Sequence, residues 1–195
     1  HIGIGGQDSD GAKSGNITVN ARGGAINAIG SSGSNSYALI GSGASDTSGD
    51  IDGFIDIDAS GAITFQGGSG SAAIAVAGFT GVTTTGNYGD ADDFVSVNAG
   101  SDVNLLAGSG GNAYAQIGHG GLNHTSTPTL MGDLDVTAGS GNTTIQGGLN
   151  TSDDDRWAMI GHGGAQMTST ATGDIRVDGR NGTLTMLAGA GRADT

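Results

Sequence analysis

The chain has no cysteine and no glutamate, and it carries one proline, one tryptophan and six basic residues in 195. Without cysteine there is no disulfide scaffold. A single proline, Pro128, rules out a proline-rich disordered tract. All nineteen acidic residues are Asp. Glu favours helices, whereas Asp suits turns, so its exclusive use predicts strands and turns. The basic residues are Lys13, Arg22, Arg156, Arg176, Arg180 and Arg192, and the formal charge is −13. That balance excludes nucleic acid as a partner, because phosphate contacts need Lys and Arg. It suits a soluble surface that gathers cations. No apolar run approaches the ~20 residues of a membrane helix, so no membrane span is expected. No catalytic constellation is visible. The six scattered cations do not make the basic groove with carboxylates of a polysaccharide lyase, so the chain is not read as an enzyme.

What is present is glycine, 41 residues of it, and repetition. Ala113-Tyr114-Ala115-Gln116-Ile117-Gly118-His119-Gly120-Gly121 returns as Trp157-Ala158-Met159-Ile160-Gly161-His162-Gly163-Gly164. Weaker copies lie around Gly3, Gly41 and Gly78. The steps between matched glycines are 38, 37, 40 and 43 residues, a period that marks a solenoid.

Each repeat holds three short apolar segments. Segment A is Ile17-Thr18-Val19, Ile55-Asp56-Ile57, Val95-Ser96-Val97, Leu134-Asp135-Val136 and Ile175-Arg176-Val177. Segment B is Ile26-Asn27-Ala28, Ile63-Thr64-Phe65, Val103-Asn104-Leu105, Thr143-Thr144-Ile145 and Leu184-Thr185-Met186. Both alternate with a period of two, as strands with one buried face do. Segment C is the opening stretch and is apolar on both parities, which predicts cover on both faces. A variable loop follows C and is expected to absorb the length differences.

These features predict an all-β, right-handed parallel β-helix (a β-solenoid) of about five rungs of ~39 residues, each with three short strands and one variable loop. The repeats run 3–40, 41–77, 78–117, 118–160 and 161–195, the last closing onto residues 1–2. Two smaller rungs per repeat are the competing arrangement. One rung alone buries too little to offset its ordering, so each is expected to depend on its neighbours. The ends carry no polar capping rung, and the expectation is head-to-tail stacking with further repeats or copies.

The candidate sites are few. His119 and His162 share one repeat position and suggest a stacked metal pair; the plain alternative is a duplicated turn residue. Other repeats place Ile4, Ser42 and Phe79 there. Asp8-Ser9-Asp10-Gly11 resembles the start of a calcium loop but lacks the distal Glu. Asp50/Asp52, Asp90/Asp92/Asp93 and Asp153/Asp154/Asp155 sit in or beside loops, which leaves calcium between loops open as the only cofactor. Val82-Thr83-Thr84-Thr85 and Thr125-Ser126-Thr127 do not repeat in every rung, as an ice-binding array would. Asn16-Ile17-Thr18 and Asn150-Thr151-Ser152 are sequons that so Asn- and Thr-rich a chain yields by chance.

The outer parity of C places Tyr37, Ile74, Tyr114 and Trp157 on one stripe. The favoured reading covers the stripe with the loops, through Phe54, Val82, Tyr88, Leu130 or Met167. The other reading makes it a lateral fibre contact or a glycan surface.

Gly132 to Val136, Gly173 to Val177, Gly147-Gly148 and Tyr114 to Gly121 resemble the β-strand repeats of giant bacterial surface exoproteins, the filamentous haemagglutinin adhesins. The resemblance covers all five repeats. It implies a right-handed β-helical shaft, secretion across an outer membrane, and roles in adhesion, matrix or fibre formation. The functional expectation is an extracellular or bacterial cell-surface fibre or adhesin shaft without catalysis. The alternative is an extracellular binding module for glycan or calcium, using the loops or the Tyr/Trp stripe.

Overall fold

The computed structural model describes residues 1–6, 8–43, 46–82, 85–122, 126–148 and 156–189, with backbone alone at 81 and 82. Every element among them is a strand. Segment A forms one parallel ladder: Ile17–Ala21, Ile55–Ala59, Phe94–Ala99, Asp133–Ala138 and Ile175–Asp178. Segment B forms a second: Ile26–Ile29, Ile63–Gln66, Val103–Leu106, Thr143–Gln146 and Leu184–Leu187. Segment C forms a third: Tyr37–Ile40, Ile74–Ala77, Ala115–Ile117 and Ala158–Ile160. The register is the one the repeat implies. Ile17, Ile55, Val95, Leu134 and Ile175 stand directly above one another. The molecule is therefore a parallel β-solenoid of one turn per repeat, and the half-size rung does not occur among the described residues.

From Ile2, which bridges to Ile40, four turns are completed at Ile40, Ala77, Ile117 and Ile160. Segments A and B of a further turn follow, so the expected five rungs become four complete turns and a partial one. The region read as a loop contains two more short ladders. One is Thr80–Val82, Gly120–Leu122 and Gly163–Ala165. The other runs through Lys13, Ile51, Tyr88, Leu130 and Ala171. Nor is length variation confined to one place. The longest step carries three extra residues between Gln146 and Trp157, in the turn from B to C.

The main core fills the inside of the coil. It takes the inward rows of A and B, such as Ile55, Ile57, Ile63, Phe65, Val97 and Leu105. The inner parity of C joins them through Ala75, Ala77, Ala115 and Ile117. Alternation in A and B and double burial of C thus have one cause: C lies between this core and a second one. The second core packs Leu39, Ile74, Val76 and Tyr114 against Leu122, with Tyr37, Trp157 and Ala165 at its margin.

The matched glycines stand where a bend brings one turn onto the next. A Cβ at Gly41, Gly78 or Gly118 would overlap the carbonyl oxygen of Gly78, Gly118 or Gly161 respectively.

Segment B contains one polar intruder. Thr143 faces the core with no exposure, between Val103 and Leu184, and its hydroxyl has no hydrogen-bond partner. A buried hydroxyl without a partner costs its full desolvation. Thr143→Val should raise the unfolding free energy by about 1 kcal/mol. Urea denaturation reads this directly, and an unchanged or lower midpoint would contradict the burial argument.

Candidate functional site

His119 and His162 do stack, with ring centroids 5.0 Å apart, and Phe79 lies on the far face of His119 at 4.5 Å. The stack follows from the repeat: a positive-φ glycine precedes each of these residues, at Gly78, Gly118 and Gly161. The sharp bend leaves the next N–H pointing along the axis, where a side chain from the following turn receives it. Phe79 N–H donates to His119 Nδ1 at 3.0 Å, and His119 N–H donates to His162 Nδ1 at 3.2 Å. Ser42 plays the same part nearer the start, accepting from Ile4 N–H at 3.2 Å.

His162 Nε2 is 2.8 Å from the Gly132 carbonyl, so it carries the proton. Both imidazoles are thus neutral acceptors at Nδ1, and a metal there would have to displace a backbone N–H. Burial lowers the His119 pKa well below the usual histidine value, and His162 lowers it further. Burial lowers His162 too, partly offset by the Gly132 carbonyl and by Asp133. Among the described residues no three His, Cys, Asp or Glu are grouped to hold a metal ion.

Much of the aspartate is used in the same way. Asp50 accepts from Asn87 N–H at 2.9 Å, and Asn87 in turn from Thr129 N–H at 2.9 Å. Asp102 accepts from Asn142 N–H at 2.7 Å, and Asn142 from Thr183 N–H at 2.9 Å. Asp133 accepts from Asp174 N–H at 2.8 Å, and Asp93 from Gly53 N–H at 3.0 Å. Adjacent turns lie about 4.8 Å apart, a gap that a short carboxylate or amide bridges with little freedom to lose. Glu is one methylene longer and more flexible. This inter-turn role adds to the turn preference as a reason for Asp and Asn. The signal in the sequence is an Asx placed just before a strand.

The loop likened to a calcium loop already holds a cation of the chain's own. Lys13 is buried, and its ammonium donates to the carbonyls of Ser9 at 3.0 Å, Gly11 at 2.7 Å and Ser48 at 2.9 Å. Asp50, Asp90 and Asp93 do converge on Asp52: partial burial and then these neighbours raise its pKa. The cluster 153–155, the sequon at 150–152, and Thr83, Thr84 and Thr125 lie outside the described residues.

The stripe on segment C is covered. Ile74 and Tyr114 have no exposure, and Trp157 is half-buried with its ring stacked on Tyr114 at 4.1 Å. The Tyr114 hydroxyl lies 3.2 Å from that of Thr80. Cover comes from Leu122 and Ala165 of the first extra ladder, while Tyr88, Leu130 and Met167 belong to the main core. A glycan lying on this stripe is therefore excluded at Tyr114 and Ile74. Phe54 covers nothing there. It stacks on Phe94 at 4.9 Å, beside segment A. Gln116, on the same parity, points into the second core and donates to the Gly161 and Gly163 carbonyls at 3.0 and 3.1 Å.

No family model matches the chain, and neither a curated protein nor a solved structure matches it.

Proposed function

We propose that this chain is a length of structural shaft, part of an extracellular or cell-surface fibre or adhesin stalk, with no catalytic step of its own. One observation carries the reading: the rows of segments A, B and C lie in register, so that each turn takes its ladder partners and the cover for its apolar side chains from the turns beside it. A parallel edge with an apolar underside is completed by another turn of the same kind. The partner in this reading is a further repeat or a second copy stacked head to tail. The use of His, Asp and Asn side chains to hold one turn to the next fits the same role. So does the resemblance of the Gly-Asp-Leu and Tyr-Ala-Gln-Ile-Gly-His segments to haemagglutinin-type repeats.

Electron microscopy of the native material is the direct test, since a shaft appears as a thin filament and an isolated globular particle would overturn the reading. The isolated chain should also associate end to end. Leu184→Asp with Met186→Asp, on already exposed side chains, should leave the fold intact and shift sedimentation to the monomer. A monomeric parent chain, or an assembly indifferent to these changes, would count against stacking through this face.

A further inference from the structure

The residue just before segment A runs Asn16, Phe54, Phe94, Asp133, Asp174 up the side of the solenoid. The two phenyl rings are nearly parallel, 3° apart, and Phe94 is 37% exposed. Its neighbour in the next turn is Asp133, whose side chain is too short to cover a ring. Beside it lies an open groove of about 520 Å³ lined by Phe94, Ser96, Asp133, Asp135, Asp174 and Arg176. Its polar groups are held in place. Arg176 spans both Asp135 oxygens at 3.0 and 3.1 Å and reaches Asp178 at 2.6 Å. Asp133 is fixed by the Asp174 N–H.

From this juxtaposition we infer a binding site for a neutral glycan, with one pyranose ring lying on Phe94 and its hydroxyls meeting the Asp133, Asp135 and Arg176 side chains. A pyranose has an apolar C–H face that continues an aromatic stack, and a rim of groups that both donate and accept. The groove offers the matching set: a ring face, carboxylate acceptors and a guanidinium donor. Three carboxylates against one guanidinium repel sugar acids. A purely cationic ligand gains from the ring and the carboxylates but meets the positive charge of Arg176, which already pairs with Asp135. The groove runs up the flank of the solenoid from Phe94 to Arg176, whose strand also carries Ile175, so binding is read at Phe94 and Ser96, two turns before that strand, and is distinguishable from end-to-end association.

The test is an NMR titration of the whole chain with neutral hexaoses of glucose, galactose and mannose, alongside a hexauronate and hexalysine. A neutral hexaose should shift the amide signals around Phe94, Ser96 and Asp135, with a dissociation constant of about 1 mM. Phe94→Ala should weaken binding about tenfold or more, and Phe94→Tyr should retain it. Arg176→Gln, on an exposed side chain, provides a second variant should Phe94→Ala perturb the fold, and it should also weaken binding. The inference is overturned if no neutral hexaose shifts these signals, if both weakening variants bind like the parent, or if hexalysine or the hexauronate binds in preference.

Discussion

A Gly78→Ala chain is expected not to assemble the solenoid under conditions where the parent is folded. Gly78 sits at the bend after Ile74–Ala77 with φ of +152°, a backbone state that an L side chain rarely adopts. Strain of that kind costs about 1–3 kcal/mol. The greater obstacle is spatial. The new methyl would land on the Gly118 carbonyl oxygen of the next turn. That oxygen belongs to backbone tied into the ladders on both sides, and no rotamer relieves the overlap. Gly78 itself is fully enclosed, with its N–H bonded to the Ile40 carbonyl at 3.1 Å. The two turns would have to separate, and separation removes the stacking on which each depends. The combined loss should exceed about 4 kcal/mol, a large part of the stability of an ordinary domain. Gly23 is the control, since nothing lies within 4 Å of the Cβ position there, and Gly23→Ala should leave the melting point nearly unchanged. Circular dichroism and thermal melting of the two variants decide the matter. A cooperative β-sheet transition near the parental temperature for Gly78→Ala would show that the turns are not in this register.

The same glycines explain what the sequence reveals and what it conceals. Segments A and B are legible because an inward apolar row must recur at fixed spacing, and Ile17, Ile55, Val95, Leu134 and Ile175 do so. Segment C announces two covered faces because Tyr114 and Ile117 lie on opposite parities and both are apolar. The two extra ladders leave no such trace. Gly120-Gly121-Leu122 is a strand with one informative side chain, and the ladder through Lys13, Ile51, Tyr88, Leu130 and Ala171 varies in chemistry at every turn. Their order comes from neighbours 37 to 43 residues away, which local pattern does not encode. The candidate sites follow the same logic. The spacing of His119 and His162 places them correctly one above the other. Whether stacked imidazoles bind a metal or a backbone N–H depends on the bend at Gly118, where the N–H leaves the ladder. The Phe54 and Phe94 pair is invisible for a plainer reason: each lies one residue outside the alternating segment and reads as a turn residue until the register aligns them.

Acid should weaken the fold through those same histidines. In the folded chain each accepts a backbone N–H at Nδ1, and His162 donates from Nε2 to the Gly132 carbonyl. Protonation would replace an acceptor with a donor facing another N–H. It would also place two cations 5.0 Å apart in a region where His119 has no contact with water. Both pKa values are accordingly lowered, His119 the more strongly, with burial as the first cause in each. The sign follows from linkage. The unfolded chain takes up these protons near pH 6.5 and the folded chain refuses them. Stability is therefore fully present above about pH 6.5 and falls as the pH drops below it, by up to about 1.4 kcal/mol per pH unit for each histidine. The decline continues until the folded pKa is reached. Asp52 works in the opposite sense, because its raised pKa stabilises the fold at low pH, but its window opens nearer pH 4.

Urea denaturation at steps between about pH 7.5 and 5.5 should show a plateau and then a decline. His119→Asn, which keeps a side-chain acceptor without a titrating proton, should remove the steeper part of that decline. His119→Ala should cost about 3 kcal/mol even at neutral pH, because it strands the Phe79 N–H and opens a cavity beside Phe79. Stability that stays level across the window, or a decline that persists after both histidines are replaced by Asn, would show that the stacked rings are not the acceptors the geometry makes them.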